Sequence, residues 1–237
     1  MKQAFVTYAD EASVPGAICL ARSLRSVSAS GEIAAITLHT GELAPTSRNA
    51  LERAGLLLRE VTDVGTLEPD QVAKLSAWNL TEYDRVVWLD SDSVALASLE
   101  PLFRATAPLA TCTDFANPSQ IDTAVMSIAP DAQLAKNMVA MSSHPSFKPG
   151  PDSVATVIGR FCDSDREVLD FSFNMTAHCL VDNPRLWAVT RDELRVLRFP
   201  NRRPWQIEAA IGSEPLDSIW WNAYDGTEIA PPISLTA

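Results

Sequence analysis

Apolar residues in the first ninety positions follow two rhythms in alternation. Short β-rich runs at residues 4–8, 33–38 and 58–64 are separated by stretches whose apolar residues fall three and four apart, as Ala17, Leu20, Ala21 and Leu24 do. The first rhythm is that of strands and the second that of one helix face. The pattern predicts strands at 4–8, 33–38, 58–64 and 85–89, with helices at 16–27, 47–57 and 72–80. Ser47 is the expected N-cap of the second helix. Strands alternating with helices imply parallel βαβ units. Beyond residue 92 the rhythm is less regular. It predicts a short turn at 101–103, strands at 109–112 and 123–128, and a helix at 131–142. A proline-rich loop at 145–151, a basic loop at 201–205 and a terminal helix at 216–224 follow. No repeat, low-complexity tract or linker divides the chain, so the expected fold is one α/β domain over residues 1–237, a mostly parallel central sheet flanked by helices.

Composition narrows the function classes. The 237 residues are 46% hydrophobic and 21% charged, with a formal charge of −11. That charge argues against nonspecific nucleic-acid binding, which neutralises phosphates with Lys and Arg, and offers no basic patch to an anionic membrane. Cys19, Cys112, Cys162 and Cys179 show no zinc spacing. The N-terminus turns polar too early for a signal peptide and no stretch is long enough to span a bilayer, so the expected location is cytoplasmic. The pattern leaves room for a homodimer.

The candidate chemistry sits at Val86-Val87-Trp88-Leu89-Asp90-Ser91-Asp92. An apolar run of this kind reads as a strand buried on both faces, and it ends abruptly in two carboxylates one residue apart. In open α/β sheets ligands bind beyond the carboxyl ends of the strands. Two carboxylates placed there suit a hard divalent cation, with Mg²⁺ usually taking one or two carboxylates together with substrate phosphates. Asp90 and Asp92 are therefore the expected metal ligands, against the plainer reading of a surface turn.

Eight pieces in order then resemble the glycogenin-like family 8 glycosyltransferases. They are Ala4-Phe5-Val6-Thr7, residues 16–24, Lys74 through Leu80, Tyr83 through Asp92, Asp122-Thr123-Ala124-Val125-Met126, Asp152, Arg203-Pro204-Trp205, and Ile219-Trp220-Trp221. The resemblance implies a GT-A fold and retaining transfer of a hexose from a nucleotide diphosphate sugar, with a UDP-sugar as the expected donor, to a small-molecule or glycan acceptor, assisted by Mn²⁺ or Mg²⁺. It marks Thr7, Tyr8, Asp10, Lys74, Ser91, Arg198 and Arg203 for the nucleotide and diphosphate. Tyr8, at the end of the first strand, fits either a base-stacking ring or a core-edge tyrosine, and the family's base-stacking tyrosine falls near Val14. Asp122 and Asp152 are the implied catalytic carboxylates. Charge grows on the leaving diphosphate, so fixed cations such as Lys74 and Arg203 would stabilise it, and a carboxylate beside the sugar carbon can stabilise an oxocarbenium-like centre or attack it.

The chain also departs from the family. Arg198 stands where a histidine usually completes the metal site, and a guanidinium cannot ligate; direct contact with the diphosphate is the expected alternative, with His178 as a replacement ligand. Asp122 replaces a donating asparagine, Ser153 a glutamine, and Asp10-Glu11 a Thr-Asn pair. Two other functions fit part of the pattern. One is a nucleotide-sugar-binding module without transfer; the other is a haloacid dehalogenase-type phosphohydrolase, which carries Asp-x-Asp on its first strand.

Overall fold

The computed structural model describes residues 1–28, 33–62, 67–115, 117–148, 153–200, 202–206 and 215–227. In chain order these form β1 (Gln3–Tyr8), α1 (Val14–Val27), β2 (Ala34–His39), α2 (Pro45–Arg53), β3 (Leu57–Glu60), α3 (Pro69–Ser76), β4 (Arg85–Leu89), β5 (Ser93–Ala95), β6 (Leu109–Thr113) and β7 (Ile121–Ile128). There follow α4 (Ala132–Ser142), α5 (Ser153–Cys162), β8 (Arg166–Val168), β9 (Met175–Thr176), α6 (Ala177–Asp182), α7 (Pro184–Thr190), β10 (Val196–Arg198) and α8 (Asp217–Asp225).

Seven strands make the central sheet, in the order β3-β2-β1-β4-β7-β6-β8. β1, β2, β3 and β4 are parallel, β7 runs antiparallel to both its neighbours, and β8 is parallel to β6. The expected mostly parallel α/β sheet is present. Alternation along the strands fixes which helices cover which face. Val6, Val86 and Trp88 pack with Val72, Leu75, Met138 and Val157 of α3, α4 and α5. Phe5, Val87 and Leu89 turn the other way, onto Leu20 and Leu24 of α1 and onto Phe103. Each such large apolar side chain contributes about 1.5–3 kcal/mol on burial. No helix among the described residues is long and apolar enough to cross a membrane.

The chain order of β1 to β4 places β2 on one side of β1 and β4 on the other, so a crevice opens beyond the carboxyl ends of β1 and β4. The Asp-x-Asp segment leaves β4 at that crevice and enters β5, which belongs to a second, three-stranded sheet in the order β5-β10-β9. It is thus the joint between two sheets. Arg198 closes β10 opposite Ser93 of β5 and Thr176 of β9.

Several local expectations shift. α2 starts at Pro45, whose fixed φ suits a first helical position, so Ser47 lies inside the helix. Its hydroxyl donates to Glu11 Oε2 (2.7 Å) rather than capping. The same helix stops at Arg53 because Gly55 turns into the left-handed region at φ 82°. The strand expected at 58–64 runs from Leu57 to Glu60, and residues 63–66 lie outside the described set. Asp131 is the cap of α4, accepting from the Gln133 and Leu134 amides, rather than its first residue.

Candidate active site

Polar groups converge on the crevice. A cleft of about 300 Å³ is lined by Tyr8, Asp10 and Ser13 after β1, by Glu68, Pro69 and Asp70 at the start of α3, and by Trp88, Asp90, Ser91, Asp92 and Arg203. Five of the residues expected at the site, Tyr8, Asp10, Asp90, Ser91 and Asp92, come from the ends of β1 and β4, and Arg203 comes from the basic loop. That loop is tied down by Trp205, whose indole N–H donates to the Ala12 carbonyl at 2.8 Å and whose ring stacks on buried Trp220. Asp10 does local work as well, accepting from the Ser13 amide (2.9 Å) and hydroxyl (2.6 Å) ahead of α1.

Beneath the cleft lies a buried ion cluster. Lys74 Nζ sits 3.0 and 3.1 Å from the two oxygens of Asp90, and 3.4 Å from Thr123 Oγ1. The Trp88 indole N–H donates to Asp90 Oδ1 at 2.8 Å. Arg198, only 7% exposed, reaches three carboxylates together. Its Nε is 3.5 Å from Asp92 Oδ1, Nη2 is 3.6 Å from Asp90 Oδ2, and Nη1 is 3.3 Å from Asp122 Oδ2. Nη1 also donates to Asn174 Oδ1 at 3.1 Å.

The charges shift one another. Burial raises the Asp92 carboxyl above its ordinary range; the charge of Asp90 adds to this, while Arg198, Lys74 and Arg203 pull the other way. Burial also works against the charge of Arg198, but Asp92, Asp122 and Asp90 together outweigh it and hold the guanidinium above its usual value. Burial, then Asp122 and Asp170, push the nearby Cys112 thiol up to about 12.

Other expected residues fall elsewhere. Thr7 is buried on the α1 face of β1, opposite Tyr8, and does not line the cleft. Asp122 is a counter-ion: one oxygen faces Arg198 and the other accepts from the Ala124 amide at 2.8 Å. Asp152 lies outside the described residues. His178 lines a separate cavity of about 210 Å³ with Asp182, Arg202 and Asp217, away from the two motif aspartates. Arg198, expected to touch a diphosphate, is occupied by the chain's own carboxylates. The residues not foreseen are Ser13, Glu68, Asp70, Trp88, Thr123 and Asn174. For Trp88 the only available signal was its place two residues before Asp90; the rest are brought in by the topology.

Similarity to known proteins agrees with this geometry. No family model matches the chain. Glycogenin-1 of Oryctolagus cuniculus is 24% identical over 97% of this chain and 77% of its own length. UDP-glucuronate:xylan alpha-glucuronosyltransferase 2 of Arabidopsis thaliana is 33% identical over 48% of this chain, which is 20% of that protein. These relatives support a glycogenin-like family 8 glycosyltransferase. Among solved structures, glycosyltransferase GlyE of Streptococcus pneumoniae superposes with a TM-score of 0.71 at 16% identity, over 94% of this chain and 60% of that one. The galactosyltransferase LgtC superposes at 0.67 and 15% identity, over 96% and 97% of the two chains. These superpositions establish the GT-A fold of this glycosyltransferase. Its motif ends the fourth strand rather than the first, which removes the basis of the phosphohydrolase reading.

Enzymes of this fold commonly use a divalent metal, so the cluster must be tested for that role. Both oxygens of Asp90 already face Lys74, and Arg198 lies against Asp90 and Asp92 at once. Among the described residues no three His, Cys, Asp or Glu side chains are placed to share an ion. Mg²⁺ demands near-ideal octahedral oxygen ligation, and a guanidinium that stays protonated would repel it at this range. The expectation that Asp90 and Asp92 grip Mn²⁺ or Mg²⁺ does not fit this arrangement.

Proposed function

We propose that this glycosyltransferase transfers a hexose from a nucleotide diphosphate sugar, a UDP-sugar being the first candidate, to a small-molecule or glycan acceptor in the cytoplasm, with retention at the sugar carbon and within a single GT-A domain. The observation that carries this is the cleft at the β1/β4 switch point, which combines an aromatic residue, Tyr8, a surface cation, Arg203, and a buried cation, Lys74, beside the motif aspartates. Tyr8, whose hydroxyl lies 3.2 Å from Thr40 Oγ1, offers a ring held in place for a nucleobase. Arg203 and Lys74 supply fixed positive charge where the leaving diphosphate gains negative charge, the arrangement that lowers a barrier without reorganisation. Asp122 holds Arg198 and so positions the cluster.

Thermal unfolding with a panel of nucleotide sugars tests the donor, because a ligand that binds only the folded chain raises its melting temperature with concentration. A shift with UDP-sugars, followed by slow UDP release on incubation, supports the assignment; no shift with any nucleotide sugar refutes it. Proton NMR of the transferred or hydrolysed sugar reads the anomeric outcome. A binding module without transfer predicts the shift with no nucleotide release.

A further inference from the structure

A buried arginine between two carboxylates that face a nucleotide cleft asks for an explanation of its own. Arg198 is screened from solvent, its guanidinium spans Asp90 and Asp92 from two different nitrogens at 3.6 and 3.5 Å, and a third carboxylate, Asp122, lies 3.3 Å from the remaining arm. Asp122 is itself fixed by the Ala124 amide, and Asn174 fills the other direction at Nη1. We propose that the Arg198 guanidinium takes the place of a divalent cation between Asp90 and Asp92, so that this enzyme binds and uses its donor without a metal. The inference rests on the nucleotide-sugar reading of the cleft.

The geometry supports it in three ways. An ion shared by Asp90 and Asp92 would need oxygens that Arg198 and Lys74 now face. The guanidinium cannot give up its proton at any working pH, so it neither ligates nor yields its charge. The position is also built rather than accidental. β10 pairs with β5 on one side and β9 on the other, with Arg198 in register with Ser93 and Thr176, and a slip of one residue would turn the side chain to the opposite face. Of the three aspartates and two cations in the cluster, removal of Arg198 would leave three negative charges against Lys74 alone. That leaves a net charge of −2, which one divalent cation would neutralise.

The test titrates Mn²⁺ into the wild-type chain and into Arg198→His, following free Mn²⁺ by electron paramagnetic resonance. Calorimetry then measures UDP, GDP and ADP binding to both chains in EDTA and in Mn²⁺. The wild-type chain should take up no stoichiometric Mn²⁺, and the affinity of the diphosphate that it binds should change less than about twofold between the two buffers. Arg198→His should bind one Mn²⁺ and make diphosphate binding metal-dependent. Stoichiometric Mn²⁺ uptake by the wild-type chain, or a roughly tenfold gain in diphosphate affinity with Mn²⁺, overturns this proposal alone. Failure of all three diphosphates in both buffers overturns the donor reading and this proposal with it. If Arg198→His does not fold, the wild-type titrations decide.

Discussion

Replacing Arg198 with methionine removes a buried charge while keeping an unbranched side chain, and the structure gives the size of the effect. The guanidinium neutralises Asp92, which is 6% exposed, and it also faces Asp90 and Asp122. Removing one partner of a buried ion pair typically costs about 3–5 kcal/mol, because the other charge is left uncompensated. Here a ceiling follows from titration. Asp92 can escape by taking up a proton, and holding an aspartate of ordinary pKa about 3.9 neutral costs about 1.4 kcal/mol per pH unit above that value. The Asp92 share of the deficit is therefore capped at about 4 kcal/mol at pH 7 and about 1.5 kcal/mol at pH 5, and Asp90 and Asp122 add to it. Its sign is set by linkage. The folded-state pKa of Asp92 lies above the unfolded value, so the native chain binds more protons between the two and loses stability as pH rises through that window. Loss of Arg198 raises the folded pKa further and widens the window upward. Urea unfolding followed by tryptophan fluorescence at pH 5, 6 and 7, on both chains, measures the difference. A deficit below about 1 kcal/mol, or one that stays flat from pH 5 to 7, refutes the electrostatic account of the cluster.

Three further outcomes are expected. Lys74→Met should slow donor turnover by roughly 10²–10³-fold, the usual loss for one well-placed electrostatic donor, read as nucleotide release at saturating donor. Gly16→Ala should destabilise the fold by about 1–3 kcal/mol in thermal unfolding, the range for overpacking, and weaken nucleotide binding. A Cβ there would stand under 3.0 Å from the Ser91 carbonyl oxygen and 2.6 Å from the Trp205 ring. Maleimide labelling of the native chain followed by mass spectrometry should mark Cys179 first, because it is partly exposed while Cys19, Cys112 and Cys162 are buried; burial raises all four thiols above their ordinary value.

The parts of this fold that could be read from the chain are those with a long, regular burial pattern. Residues 85–89 were expected as a strand and form β4 with the same bounds, since all five are buried. The α1 face is equally plain, with Ala17, Leu20, Ala21 and Leu24 buried as the spacing implies. The second sheet is different. β9 and β10 have two and three residues, too few for any periodicity, and β8, α6 and α7 are short in the same way. α5 is the exception, since Val154, Val157, Ile158 and Phe161 do fall at helical spacing. The site divides along the same line. Tyr8, Asp90 and Asp92 stand at the ends of strong strands. The pairing of Arg198 with Asp122 spans 76 positions and with Asn174 spans 24, and it exists only because three-residue β10 docks between β5 and β9. Two departures from the family pattern, Arg198 and Asp122, looked independent along the chain and are one ion pair in space.

That pair bears on why the cluster exists. Asp90 N–H continues the β4–β7 ladder onto the Ala124 carbonyl at 2.9 Å, and the Asp92 carbonyl accepts from the Phe199 amide at 3.0 Å, so backbone bonds to both sheets already hold the motif. Its position does not require buried charge. Well-packed apolar residues at the places of a buried ion cluster are often neutral or stabilising by about 1–4 kcal/mol, so stability gives no reason to keep Lys74, Arg198, Asp90, Asp92 and Asp122 together. A preorganised field gives one. Cations fixed under a cleft, with counter-ions that set their orientation, need no rearrangement when negative charge develops above them, and a protonated guanidinium provides that field at every pH at which the chain is folded.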